Sequence, residues 1–168
     1  YLKESGKMTT GWLRADDKWY FMDGSGAMSR GWISDKDNRY YFDQNGVMQT
    51  GWLDDGGRKY YLGTDGICAT GWRDVDGKRY YFSAEGYMST GWQSVDNSWY
   101  YLNGDGTMAT GLVDVNGIKY YLNPEDGRMA ANTEITAGDT VYRADASGAL
   151  SVAAPEENPT EGNPESQN

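Results

Sequence analysis

Residues Gly71–Met88 read GWRDVDGKRYYFSAEGYM, and this stretch decides the fold. Trp72 opens a short run, Asp76-Gly77 interrupts it, and Arg79-Tyr80-Tyr81-Phe82 resumes it. Two aromatic runs around Asp-Gly predict a β-hairpin, because a two-residue hairpin turn needs positive φ and these residues accept it. Ser83-Ala84-Glu85-Gly86 then predicts a second turn before Met88. Glycine interrupts every possible helical turn, so a helix is a poor reading.

The same pattern extends in both directions. Gly-Trp stands at 11, 31, 51, 71 and 91, and returns at 111 as Gly111-Leu112, a spacing of 20 residues each time. Aromatic pairs follow at Tyr20-Phe21, Tyr40-Tyr41, Tyr60-Tyr61, Tyr80-Tyr81, Tyr100-Tyr101 and Tyr120-Tyr121. Two residues after each recurring glycine comes a methionine column: Met8, Met28, Met48, Cys68, Met88, Met108 and Met129. Cys68 falls in that column and reads as a small apolar filler. The other predicted turns are Asn116-Gly117, Gly56-Gly57, Asp16-Asp17, Asp37-Asn38 and Asp96-Asn97.

A hairpin this short cannot bury enough surface to stand alone, so successive hairpins must cover one another. The expected fold is all-β, a solenoid of stacked short β-hairpins over residues 1–150. Residues 1–10 are a partial repeat, since Tyr1 to Met8 aligns with Phe21 to Met28. Full repeats run over 11–130, and 131–150 is a degenerate capping repeat that keeps Tyr142, Gly148 and Leu150. Residues 151–168 hold three prolines, four glutamates and no basic residue, which reads as an acidic disordered tail or linker.

Composition narrows the function. Only 38% of residues are hydrophobic, but 14 tyrosines and 7 tryptophans are present, so aromatic rings must hold the structure together. A net charge of −10 excludes nucleic acid as a partner. No apolar run approaches membrane-spanning length, so no membrane insertion is expected. The chain has no histidine, hence neither the commonest general base nor the commonest zinc ligand. Carboxylates recur at Asp65, Glu85, Asp105 and Asp126 beside the turn glycines, where turn chemistry explains them. No loop offers an EF-hand-like set of oxygens. The reading is therefore non-enzymatic, with no metal and no cofactor.

The pattern GW-x-x-x-D-G-x-x-YYF-x-x-x-G-x-M-x-TGW resembles the cell-wall-binding, or choline-binding, repeat family over residues 1–130, with a weaker copy to about 150. The resemblance implies a secreted protein at a cell wall or cell surface of a Gram-positive organism. Its implied partner is choline, or teichoic acid bearing phosphocholine. Glycan binding, and a spacer or assembly module capable of weak homo-association, are the alternatives. Trimethylammonium lacks hydrogen-bond donors, and aromatic faces are the usual answer to such a cation. The resemblance implies a cage built from the Gly-Trp tryptophan, the residue before the aromatic pair, and an aromatic plus methionine of the next unit. One cage is expected from Trp12, Trp19, Tyr41 and Met48, and a second from Trp92, Trp99, Tyr121 and Met129. Tyr41 is preferred to Tyr40 because strand alternation groups 19, 21 and 41 on one face. Trp32, Trp52, Trp72, Tyr61, Tyr81 and Tyr101 are weaker candidates. In the units of Trp32, Trp52 and Trp72, Arg39, Lys59 and Arg79 replace the second tryptophan, as Lys119 does beside Leu112. These cations are expected to lie over Trp32, Trp52 and Trp72 and fill the cages themselves.

Overall fold

The computed structural model describes residues 8–153. It is all-β, with strands β1 (Gly11–Ala15), β2 (Lys18–Met22), β3 (Gly31–Asp35), β4 (Asn38–Phe42), β5 (Gly51–Asp55), β6 (Arg58–Leu62), β7 (Gly71–Val75) and β8 (Lys78–Phe82). β9 (Gly91–Val95), β10 (Ser98–Leu102), β11 (Gly111–Val115) and β12 (Ile118–Leu122) continue the series. Each consecutive pair forms a separate two-stranded antiparallel sheet. β13 (Thr133–Ala137), β14 (Thr140–Ala144) and β15 (Leu150–Val152) form a three-stranded sheet in the segment read as a degenerate repeat. β15 thus runs two residues beyond the expected boundary at 150. The expected acidic tail lies outside the described residues from 154 onward, as does the start of the partial first repeat, residues 1–7.

The turns follow their sequence. Asp16 and Asp17, Gly56 and Gly57, Asp76 and Gly77, Asp96 and Asn97, and Asn116 and Gly117 all have positive φ. One expectation is corrected by a residue: the second hairpin turns at Lys36-Asp37, and Asn38 is already the first residue of β4. All six hairpins need the same five-residue strands, so the loop keeps its position even where lysine must accept a φ of 56°.

The chain divides into two compact units, Tyr1–Gln93 with Tyr101–Met108 and Ser94–Tyr100 with Ala109–Asn168. Within the first, hairpins stack front to back. Trp12 and Phe21 are cross-strand partners on one face of the first hairpin, and Leu13 and Tyr20 lie on the other. The Trp12 ring meets the rings of Tyr40 and Phe42 in the next hairpin, at centroid distances of 4.7 and 5.8 Å. Trp32 meets Tyr60 at 4.7 Å and Trp52 meets Tyr80 at 5.0 Å in the same way. The last residue of each second strand is the innermost, with Met22, Phe42, Leu62, Phe82, Leu102 and Leu122 between 0 and 4% exposed. The middle tyrosines Tyr40, Tyr60 and Tyr100 are buried as expected, while Tyr20, Tyr80 and Tyr120 are half-buried.

The methionine column joins hairpins at long range. Met48 N–H donates to the Trp19 carbonyl, Cys68 N–H to Arg39, Met88 N–H to Lys59 and Met108 N–H to Arg79, each at 2.7–2.8 Å. In the second unit Met129 N–H donates to the Trp99 carbonyl at 2.8 Å. The side chains of Met8, Met28, Met48, Cys68, Met88 and Met129 then lie on the turn glycine of the following repeat. A Cβ at Gly66 would fall on the Met48 thioether, and one at Gly86 would come within 2.5 Å of Cys68 Sγ. Cys68 is 7% exposed, and burial pushes its thiol pKa up, which fits the filler reading.

The recurring carboxylates mostly serve the turns. Asp65 accepts the N–H of Ile67, Asp105 that of Thr107 and Asp126 that of Arg128. Glu85 differs: there the Ser83 hydroxyl oxygen accepts the Glu85 N–H. The Ser25 hydroxyl and two backbone N–H groups hold the Asp23 carboxyl below its usual value, and Thr107 and Ser147 act likewise on Asp105 and Asp145. A depressed folded-state pKa contributes stability above the unfolded value, and that stability is lost as pH falls through the folded one. The thermal midpoint is therefore expected to change little on these groups' account above the ordinary Asp value of 3.8, and to fall below it. Substituting Ser25, Thr107 and Ser147 together by alanine should shrink that acid dependence, read by thermal unfolding at stepped pH.

Candidate functional site

β1 and β2 bring Trp12 and Trp19 to one face, because Trp12 pairs with Phe21 and Arg14 with Trp19 across the hairpin. The two indoles stand nearly perpendicular, 6.0 Å apart at 88°. Tyr40 of the next hairpin adds a third ring, at 77° to Trp12. Met48 forms a flexible fourth wall, its backbone tied to Trp19. Together with Thr64 and Asp65 these residues line an open cleft of about 500 Å³. Trp19 is 41% exposed, so a ligand can reach its face from solvent. The Trp12 indole N–H donates to Asp35 Oδ2 at 2.9 Å, which fixes the ring in its plane. Trp32 makes the equivalent bond to Asp55 at 2.9 Å. Replacing Asp35 with alanine leaves a half-buried indole donor unpaired and should lower the unfolding free energy by about 1–2 kcal/mol. Urea denaturation of the variant measures this.

Three of the four expected residues of this cleft come together, and the fourth is corrected. The completing aromatic is Tyr40, not Tyr41. Front-to-back stacking sets the inner face of hairpin two, with Tyr40 and Phe42, against Trp12. Tyr41 lies on the opposite face, where its ring meets Trp32 of its own hairpin at 5.2 Å. The weaker candidates Tyr61, Tyr81 and Tyr101 repeat this arrangement, pairing with Trp52, Trp72 and Trp92 at 5.0–5.2 Å.

The residues expected to form the second cage are distributed over the two units. Trp92 belongs to the first unit. Trp99, Tyr121 and Met129 belong to the second, where Trp99 is 48% exposed, Tyr121 and Met129 are half-buried, and Met129 is held by its bond to the Trp99 carbonyl.

The cations divide into two behaviours. Arg39 Cζ sits 4.4 Å from the Trp32 centroid, and its Nη1 donates to the Glu85 carbonyl at 2.6 Å. Arg79 Cζ sits 5.7 Å from the Trp72 centroid and pairs with Asp74 at 3.2 Å. Both arginines thus cover their tryptophans, as expected. Lys59 departs from the expectation: Trp52 remains 43% exposed, and the two residues are walls of an open cleft of about 350 Å³. A planar guanidinium stacks on an indole, whereas a compact ammonium is strongly hydrated and stays in water. Lys119 instead pairs with Asp114 at 3.7 Å. Arg14 Cζ lies over Trp19 at a distance like that of Arg79 from Trp72, 5.9 Å, and pairs with Asp17 at 3.0 Å, but Trp19 stays 41% exposed where Trp72 is half-buried.

Among the described residues, no group of three or more His, Cys, Asp or Glu side chains is placed to hold a metal ion, and no helix is long and apolar enough to cross a membrane.

This arrangement of hairpins and ring clefts is that of a repeat-built aromatic binding module. Residues 29–66, 69–110 and 89–133 match the choline-binding repeat, and residues 10–28 match a putative cell wall binding repeat. The chain belongs to the choline-binding repeat family. Its structure is similar to that of CbpJ from Streptococcus pneumoniae TIGR4, with a TM-score of 0.85 and 37% identity over 90% of this chain and 55% of that one. Choline binding protein F from Streptococcus pneumoniae gives a TM-score of 0.78 at 38% identity, over 85% of this chain and 52% of that one. The choline-binding domain of CbpL, from the same species, gives 0.68 at 29% identity, over 85% and 78%. The chain thus spans about half the length of the first two. No curated protein sequence shows significant similarity to it.

Proposed function

We propose that this chain is a non-catalytic choline-binding module that attaches its parent protein to choline-bearing cell-wall polymer, with teichoic acid as the natural ligand. The observation that carries the reading is the cleft of Trp12, Trp19, Tyr40 and Met48. Its three rings, two of them nearly perpendicular to Trp12, present π faces to one volume open to solvent. A trimethylammonium group seated there gains cation–π attraction from several sides and leaves no hydrogen-bonding group unpaired. The Asp65 carboxylate in the lining adds favourable charge. Trp99, exposed and linked to Met129, offers a further aromatic surface in the second unit.

Arg39 and Arg79 define where choline does not go. Each holds a cation over the indole that a choline would need, so the second and fourth repeats are closed to it. A single cage binds at about the millimolar level, near −4 kcal/mol. Firm attachment comes from several weak contacts along one polymer, which can add about 10²–10⁴ in avidity. The protein is expected to bind a quaternary-amine resin and to elute with choline at tens of millimolar, but not with equimolar sodium chloride. Equal elution by both salts would reduce the interaction to ion exchange by an acidic protein and overturn the reading.

A further inference from the structure

The cleft at Trp52 is the Trp12 cleft with one wall changed. Trp52 stands for Trp12, Tyr80 for Tyr40, Met88 for Met48 and Asp105 for Asp65, each shifted by 40 residues. The fourth wall differs, with Lys59 at the position of Trp19. The ring geometry survives the change, since Trp52 and Tyr80 lie 5.0 Å apart at 71°. Unlike Trp32, whose indole lies under Arg39, Trp52 is 43% exposed toward the cleft.

Two changes, Lys59 for Trp19 and Asp54 for Arg14, thus turn an aromatic cage into an aromatic platform with hydrogen-bonding groups beside it. Asp54, the cross-strand partner of Lys59, also lines the cleft, so one lysine and two carboxylate residues, Asp54 and Asp105, share it with Trp52. This lining carries both signs and lacks the second indole, so it matches neither a lone cation nor a lone anion as the Trp12 cleft matches choline. A quaternary amine would meet the Lys59 charge where it needs a ring, and a phosphate would meet two carboxylates. A neutral polyol suffers neither penalty. Its hydroxyls can accept from Lys59 and donate to the carboxylates, while the C–H face of its ring lies on the indole. A volume of about 350 Å³ is at the small end of ligand sites and suits a single ring of that kind.

We propose that the Trp52 cleft is a sugar subsite, in which one neutral pyranose ring stacks on Trp52 and is held by Lys59, Asp54 and Asp105. The chain then reads two chemistries of a wall polymer at separate places, a quaternary amine at Trp12 and a sugar ring at Trp52.

The test is an indole ¹H–¹⁵N titration of the full chain, with Trp52 and Trp12 assigned from single-tryptophan variants. The probes are glucose, galactose and N-acetylglucosamine, each to about 200 mM because one stacked ring binds weakly, followed separately by choline. A saturable shift of the Trp52 resonance with at least one sugar is expected. Lys59→Met should weaken it roughly tenfold, about 1.4 kcal/mol, while leaving the choline response at Trp12 unchanged. No Trp52 shift with any of the three sugars overturns the proposal, and so does a choline response at Trp52 as strong as that at Trp12. The choline reading is judged on the Trp12 resonance alone, so the failure of one does not touch the other.

Discussion

Replacing Gly66 with alanine is expected to destabilise the first unit by about 2–5 kcal/mol. Two costs add. Gly66 has a φ of +78°, and an L side chain in that region costs about 1–2 kcal/mol. The new Cβ would also occupy the place of the Met48 Sδ, and overpacking of that kind costs about 1–3 kcal/mol. Methionine can swing away, but only by leaving the cleft it helps to wall. Gly66→Ala should therefore weaken choline binding at Trp12 as well as lower the denaturation midpoint. Gly24→Ala is the control, since nothing lies within 4 Å of a Cβ there and its φ is not in the left-handed range. It should change stability by no more than about 0.5 kcal/mol. Equal effects at the two glycines would show that the methionine column does not lock the repeats together.

Trp19→Ala is expected to separate binding from stability. Its ring is one of the three that line the cleft, so its loss removes one cation–π contact, about 0.5–2 kcal/mol, or roughly 2- to 30-fold in choline affinity. Because Trp19 is substantially exposed, the unfolding free energy should move by about 1 kcal/mol or less. Trp12→Ala cannot make this distinction. Trp12 packs on Trp19, Phe21, Tyr40 and Phe42, and its truncation should cost about 3–5 kcal/mol of stability. Trp19→Lys places the third repeat's lysine in the first repeat and should reduce choline binding further than alanine does, since it adds a like charge. Calorimetric titration with choline, beside urea denaturation of each variant, gives both quantities. Unchanged affinity in Trp19→Ala would remove this ring from the site.

The repeat, the hairpins and most turns were legible in the sequence because they rest on local chemistry. Positive φ falls at two adjacent residues in five of the hairpins, and Asp-Gly, Asn-Gly and Gly-Gly supply it wherever they occur there. The exception at Lys36-Asp37 arose because equal strand lengths in every repeat outweigh the preference of one residue. The innermost column was equally available: Met22, Phe42, Leu62, Phe82, Leu102 and Leu122 recur at fixed spacing and are always apolar.

The site was only partly legible, for a tertiary reason. Strand alternation says which residues share a face within one hairpin, but not which face of the next hairpin meets it. Front-to-back stacking exchanges the faces, so Tyr40 completes the cleft and Tyr41 turns to Trp32. The contrast among Arg39, Arg79 and Lys59 was also hidden, since all three read simply as cations replacing a tryptophan. Guanidinium stacking closes two tryptophans, and ammonium hydration leaves the third open. Arg39 has a further anchor, the Glu85 carbonyl 46 residues away, which no local pattern announces.

Choline is expected in the open cleft where Trp12 and Trp19 both supply rings, and not on the arginine-covered Trp32 and Trp72. A crystal structure of the protein grown with choline tests this most directly. A trimethylammonium group bounded by Trp12, Trp19, Tyr40 and Met48 is expected, with Arg39 still stacked on Trp32. Choline seated on Trp32 with Arg39 displaced, or no choline at Trp12 under conditions that saturate binding in solution, would contradict it.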